Sequence, residues 1–163
     1  MAALATQELD DTELVFVIKI TDYLDPRLVA FLDVDTRNEA IETLVNMIHQ
    51  TGRLQDKYAF YEAIIEREKI VSTGIGMGAA IPHAKLTFYD DFFIAIGIIR
   101  KGLDWNALDG SPVRIIFLIG GPDDKQTEYL LILSKLTQVI KDEQIRKKML
   151  TLNSPEDMIE LFR

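Results

Sequence analysis

Apolar residues fall along this chain in two rhythms. From residue 92 to residue 99 the run Phe-Phe-Ile-Ala-Ile-Gly-Ile-Ile is apolar at odd and even positions alike. Residues 113–119 repeat the pattern, broken only by Arg114. A strand sends successive side chains to opposite faces, so such runs predict strands covered on both sides. Residues 28–34 predict a further strand. Residues 14–20 have strand-like composition, but the pattern assigns them no place in the fold.

The second rhythm is helical. Thr36-Arg37-Asn38-Glu39 fits a capping box, a hydroxyl followed three residues later by a glutamate. Behind it Ala40, Ile41, Leu44, Val45 and Ile48 recur on one face, and Gly52 is a natural stop. Tyr58, Tyr61, Ile64 and Ile65 mark a second helix, expected to end near Arg67. Leu130, Leu133, Thr137 and Ile140 mark a third. Asp142 reads as the cap of a short helix running to Met149. Ser154-Pro155-Glu156-Asp157 opens the last one, with proline at the first helical position. Strands interspersed with helices enough to cover both sheet faces predict an α/β layered domain. No repeat or Pro/Gly-rich linker divides the chain, so residues 13–163 read as one domain behind a polar tail, residues 1–12.

Composition narrows the classes. The 163 residues are 48% hydrophobic and 27% charged, the profile of a globular protein rather than a disordered one. A net charge of −8 argues against nucleic-acid binding, which needs a basic footprint. With no cysteine, neither a disulfide framework nor a thiolate metal site is available. The opening residues 1–11 lack the basic start and apolar stretch of a signal peptide. The longest apolar runs, residues 14–18 and 115–119, are too short to span a bilayer. A cytoplasmic protein without membrane insertion is expected. No ligand cluster points to a metal, and no cofactor is implied.

Chemistry concentrates in Ser72-Thr73-Gly74-Ile75-Gly76-Met77-Gly78-Ala79-Ala80-Ile81-Pro82-His83-Ala84-Lys85. Alternate glycines, Gly78 among them, permit positive φ and let a turn aim backbone N–H groups at an anion. Pro82 fixes its own φ and biases Ile81 toward extended geometry, so His83 is expected to follow a short, stiff segment. Neutral imidazole offers one lone-pair nitrogen for attack on a phosphoryl group. Two readings of His83 stay open on chemistry alone, since a histidine after proline is more often structural than catalytic. The spacing matches neither a P-loop nor G-x-G-x-x-G. The other histidine, His49, reads as a helix-end residue favoured by the C-terminal dipole.

Arg67-Glu68-Lys69, Ser72-Thr73-Gly74-Ile75-Gly76 and Ala80-Ile81-Pro82-His83-Ala84 together resemble the phosphorylation-site signature of the type-2 enzyme IIA family of the bacterial phosphotransferase system. That family includes fructose, mannitol and nitrogen-regulatory IIA proteins. A second block agrees, from Gly102-Leu103-Asp104-Trp105-Asn106 through Gly110-Ser111-Pro112 to Gly120-Gly121-Pro122. The similarity runs from about residue 20 to the C-terminus. It departs at Ala79, where the family usually has a larger aliphatic residue. It also departs at Glu128-Tyr129-Leu130-Leu131, where many members carry a second histidine.

The resemblance implies a mixed β-sheet with helices on both faces. It implies that His83 accepts phosphate from the carrier HPr or a relative, and passes it to a partner such as enzyme IIB. Arg67 matches the family arginine that neutralises phosphate oxygens. Ser72 and Thr73 either donate hydroxyl hydrogen bonds at the site or shape the turn. Tyr129 either hydrogen-bonds a phosphoryl oxygen in place of the missing histidine or packs. Two roles are open. One is regulation of a target protein through phosphorylation state, toward which the absence of a fused IIB or membrane domain in these residues leans. The other is sugar transport, toward which Asp104-Trp105-Asn106 leans. A partner-binding module without phosphotransfer is the third, bland reading.

Overall fold

A computed structural model describes residues 18–163. After two short 3-10 turns, Ile20–Tyr23 and Pro26–Leu28, come strand β1 (Val29–Phe31) and helices α1 (Arg37–Gln50) and α2 (Lys57–Ile70). Four short or long strands and a fifth follow: β2 (Gly74–Gly76), β3 (Ala79–Ala80), β4 (His83–Leu86), β5 (Phe93–Leu103) and β6 (Val113–Pro122). Helices α3 (Gln126–Lys141), α4 (Glu143–Met149) and α5 (Pro155–Leu161) close the chain. The caps are those the residue types predict. Thr36 accepts from the Glu39 N–H, Asp142 from Ile145 and Ser154 from Asp157.

Five of the six strands run in the order β1-β5-β6-β3-β2, and β4 also pairs with β6, completing one mixed sheet. The long strands β5 and β6 run antiparallel with Ile96 opposite Phe117, and β1 lies parallel to β5. Strands β3 and β4 share one edge of β6, both parallel to it, with Ala79 opposite Ile115 and His83 opposite Ile119. Side-chain alternation splits the core in two. Phe93, Ala95, Ile116 and Leu118 pack under α1 and α2 with Ile41, Leu44, Phe60 and Ile64. Ile94, Ile96, Phe117 and Ile119 pack under α3 to α5 with Ile132, Leu136, Met149 and Met158. Helices therefore cover both faces, the α/β layered architecture expected from the two-sided apolar runs.

The pattern misplaced several boundaries. The strand expected over residues 28–34 is only Val29–Phe31, because Pro26 opens a 3-10 turn that takes in Leu28. Of the strand-like residues 14–20, those before 18 lie outside the described residues, and Ile20 begins a 3-10 turn. Helix α2 runs three residues past Arg67, to Ile70. The glycine-rich turn is a hairpin, β2 to β3, with Gly76 at φ 102°, Met77 at 58° and Gly78 at 76°. Among the described residues no helix is long and apolar enough to cross a membrane.

Candidate functional site

His83 opens β4, held on the edge of β6 by the Ile119 N–H donating to the Pro82 carbonyl at 3.0 Å. Pro82 has no N–H of its own, so this edge position leaves no donor unpaired. Alternation along β4 sends Ala84 into the α1–α2 core and turns His83 and Lys85 toward α3. The half-buried imidazole meets the Ile81 carbonyl through Nδ1 at 2.9 Å. A carbonyl only accepts, so Nδ1 carries the proton and Nε2 keeps its lone pair. Burial pushes the His83 pKa below its ordinary value; the Arg67 and Lys85 charges push the same way, while the Ile81 bond and Glu68 oppose.

A cleft of about 240 Å³ brings Arg67, Ser72, Thr73, His83 and Tyr129 together, with Ile75, Ile81 and Leu133 as apolar walls. Arg67 lies in the last turn of α2, where its guanidinium donates to the Val71 carbonyl at 2.8 Å. It is both a helix-end cap and a neighbour of the imidazole. Tyr129 is 5% exposed; its ring centroid stands 5.7 Å from that of His83 and 6.1 Å from that of Phe92. Its hydroxyl has no hydrogen-bond partner among the described residues, and burial raises its pKa. A larger cleft, about 830 Å³, lies between the first 3-10 turn and α3 to α5 and contains none of these residues.

The two hydroxyls are engaged by the fold. Ser72 Oγ donates to the Trp105 carbonyl at 2.9 Å and accepts from the Gly74 N–H at 3.0 Å. Thr73 Oγ1 donates to the Glu68 carboxylate, which also accepts the Thr73 N–H at 3.1 Å and sits 3.4 Å from the Trp105 indole nitrogen. Glu68, Thr73 and Trp105 are 4%, 4% and 1% exposed, so a buried carboxylate pins the segment beneath the histidine.

Gly78 is not at this site. It turns the β2–β3 hairpin opposite the start of β6, and four residues along a strand, about 13 Å, separate that point from His83. Its carbonyl accepts the Arg114 and Ile115 N–H groups at 2.8 and 3.1 Å. The anion that meets this turn is internal: the Asp109 carboxylate accepts the Met77 N–H at 3.1 Å. His49 stands exposed in the last turn of α1, remote from the cleft.

Residues 22–163 match the family described as phosphoenolpyruvate-dependent sugar phosphotransferase system, EIIA 2. The chain belongs to that family. It is similar to the PTS system fructose-specific EIIABC component of Bacillus subtilis, 34% identical over 146 residues. That match covers 89% of this chain but 23% of the relative, so the chain spans under a quarter of that protein's length. It is similar to the nitrogen regulatory protein of Bradyrhizobium diazoefficiens, 30% identical over 80% of this chain and 85% of that one. The crystal structure of nitrogen regulatory protein IIA-Ntr from Neisseria meningitidis superposes with a TM-score of 0.83 at 26% identity, covering 88% of this chain and 99% of that one.

Three residues beside or beneath His83, Lys85, Glu68 and Trp105, gain a place at this site only in the fold. Lys85 stands two residues beyond His83 on the same face of β4, with Nζ 4.1 Å above the Tyr129 ring. Glu68 and Trp105 lie buried beneath Thr73, one of the residues that line the cleft. Strand alternation would have singled out Lys85, but only once β4 was known to be a strand. No local signal pairs Glu68 with Trp105, 37 residues away.

Proposed function

We propose that this EIIA chain is a cytoplasmic phosphocarrier whose His83 accepts a phosphoryl group on Nε2 from the phosphohistidine of an HPr-like protein. The Nδ1 bond to the Ile81 carbonyl is the observation that carries this reading, because it leaves Nε2 unprotonated. In the transfer, the Nε2 lone pair forms the new N–P bond. The donor's N–P bond breaks with its electron pair returning to the donor nitrogen. No proton has to move, since Nδ1–H stays on its carbonyl. A depressed His83 pKa keeps the attacking nitrogen free near neutral pH.

Arg67 meets the equatorial oxygens as charge passes onto His83. Tyr129 forms the wall against which the imidazole is held, and Ser72 and Thr73 fix the loop under it. Exposed Ile70, Val71 and Leu130 adjoin Arg67, Ser72 and Tyr129 in the chain and give a partner an apolar docking surface. The phosphorylated protein then acts as a regulatory signal on a target protein. The addition of about −1.5 to −2 charges at that surface alters docking. Similarity to IIA-Ntr at a TM-score of 0.83 supports regulation. The 34% identity to a fructose-specific component supports the second reading, donation to a separate enzyme IIB for sugar uptake.

Incubation with phosphoenolpyruvate, enzyme I and HPr tests the carrier role. The protein should gain one base-stable, acid-labile label, and His83→Ala should gain none; a labelled His83→Ala protein refutes the assignment.

A further inference from the structure

The phosphoryl group brings about two negative charges to His83, and Arg67 balances one of them. The other cation whose charge acts on His83 is Lys85. Its ammonium rests 4.1 Å above the centre of the Tyr129 ring and 2.7 Å from Gln126 Oε1 at the start of α3. The Tyr129 ring is in turn 5.7 Å from the imidazole. His83 and Lys85 leave β4 on one face, two residues apart, a spacing of about 7 Å that a four-carbon stem can sweep.

Both cations beside the imidazole are held by neutral groups. Arg67 has a backbone carbonyl, and Lys85 has an amide oxygen and an aromatic face. Among the described residues neither forms an ion pair, although seven other pairs do occur on the surface. A cation paired with a carboxylate would have to break that pair before meeting an incoming anion. A cation on a π face and an amide exchanges two weak neutral contacts for a charge-assisted one.

We infer that Lys85 supplies the second positive charge to the phosphoryl group on His83, moving from its resting place on Tyr129 and Gln126 as the group arrives. This rests on His83 being the acceptor. The new N–P bond on Nε2 and the donor bond that breaks are as given above. The ammonium forms hydrogen bonds to phosphoryl oxygens and gives up no proton. Lys85 thereby contacts the transferred group itself, from the α3 side, while Arg67 contacts it from the end of α2. The lysine also acts before transfer, since its charge helps keep the imidazole neutral.

The test compares Lys85→Gln and Lys85→Arg in the full chain, using phosphorylated HPr as donor. The unaltered protein should be labelled on His83. Lys85→Gln should slow labelling at least about tenfold, the loss of one charge-assisted bond in the transition state. Lys85→Arg should restore most of the rate. The melting temperature of both should match the unaltered protein, and the His83 titration midpoint, followed by NMR, should rise in Lys85→Gln. Labelling of Lys85→Gln at the unaltered rate overturns this inference alone, leaving His83 as acceptor. Failure of Lys85→Arg to exceed Lys85→Gln also overturns it, because charge would then not be the quantity that matters. Absence of label on the unaltered protein overturns both the inference and the function it rests on.

Discussion

The floor and the rim of the His83 cleft are built on opposite terms. In the floor every polar group is closed off: the Glu68 carboxylate takes the Thr73 hydroxyl and N–H and lies against the Trp105 indole N–H, all within the core. On the rim, Arg67 and Lys85 stand on neutral acceptors and form no ion pair among the described residues, and Nε2 keeps its lone pair. The difference separates stability from chemistry. A buried carboxylate with its donors satisfied fixes geometry and has no freedom to answer a visitor. A cation with only neutral partners adds little to the fold and is ready for an anion.

The comparison breaks most visibly at the floor. Glu68→Ala should orphan the Thr73 and Trp105 donors and cost about 3–5 kcal/mol of stability, read as a fall in the denaturation midpoint at unchanged m-value. A loss below about 1 kcal/mol would mean that water substitutes for the carboxylate and that the floor is not closed. Arg67→Ala sharpens the contrast from the other side. Transfer to His83 should slow on the order of 10²-fold, while stability changes by less than about 1 kcal/mol, since the one side-chain bond Arg67 makes among the described residues caps a helix end. A protein that transfers at the normal rate, or that unfolds, would erase the distinction.

The smallest effect is in the pH dependence. The folded His83 pKa lies below the ordinary value of 6.5, so below that pH the unfolded chain binds more protons than the folded one. Stability from this group is therefore fully present above about pH 6.5 and falls as the solution is acidified toward the folded pKa. Chemical denaturation at a series of pH values should show that slope in the unaltered protein and lose it in His83→Gln. An equal slope in both would mean that the imidazole is not held neutral by its surroundings.

Much of the layered fold was legible because the relevant signals were long. The runs at 92–99 and 113–119 are apolar on both faces because helices lie on both sides, and the Thr36, Asp142 and Ser154 caps stand where hydroxyls and carboxylates belong. The segment between residues 72 and 85 was legible as a turn and a stiff approach to His83, but not as strands. Its two strands before His83 are three and two residues long and made of glycine, isoleucine and alanine, with too little β-forming character to register. That hidden hairpin is why Gly78 was drawn to the histidine. Closeness in sequence stood in for closeness in space, whereas β3 and β4 both run parallel to β6 and Gly78 lies about four strand residues back toward the start of β6. The roles of Ser72 and Thr73, open in the sequence, depend on Trp105 and Glu68, which only the folded chain brings to them.

The shortness of the outer strands has a consequence for how the molecule behaves beside other copies of itself. Strand β1 exposes three residues of edge, β2 another three and β4 four, all below the length that templates a neighbouring sheet. Where β5 continues past the reach of β1, it carries exposed Arg100 and Lys101. A protein that keeps apolar side chains outside for passing partners would invite sheet-to-sheet aggregation if its long central strands were bare. Here those strands lie inside a fringe too brief and too charged to extend, so contact with other proteins is left to side chains rather than to backbone.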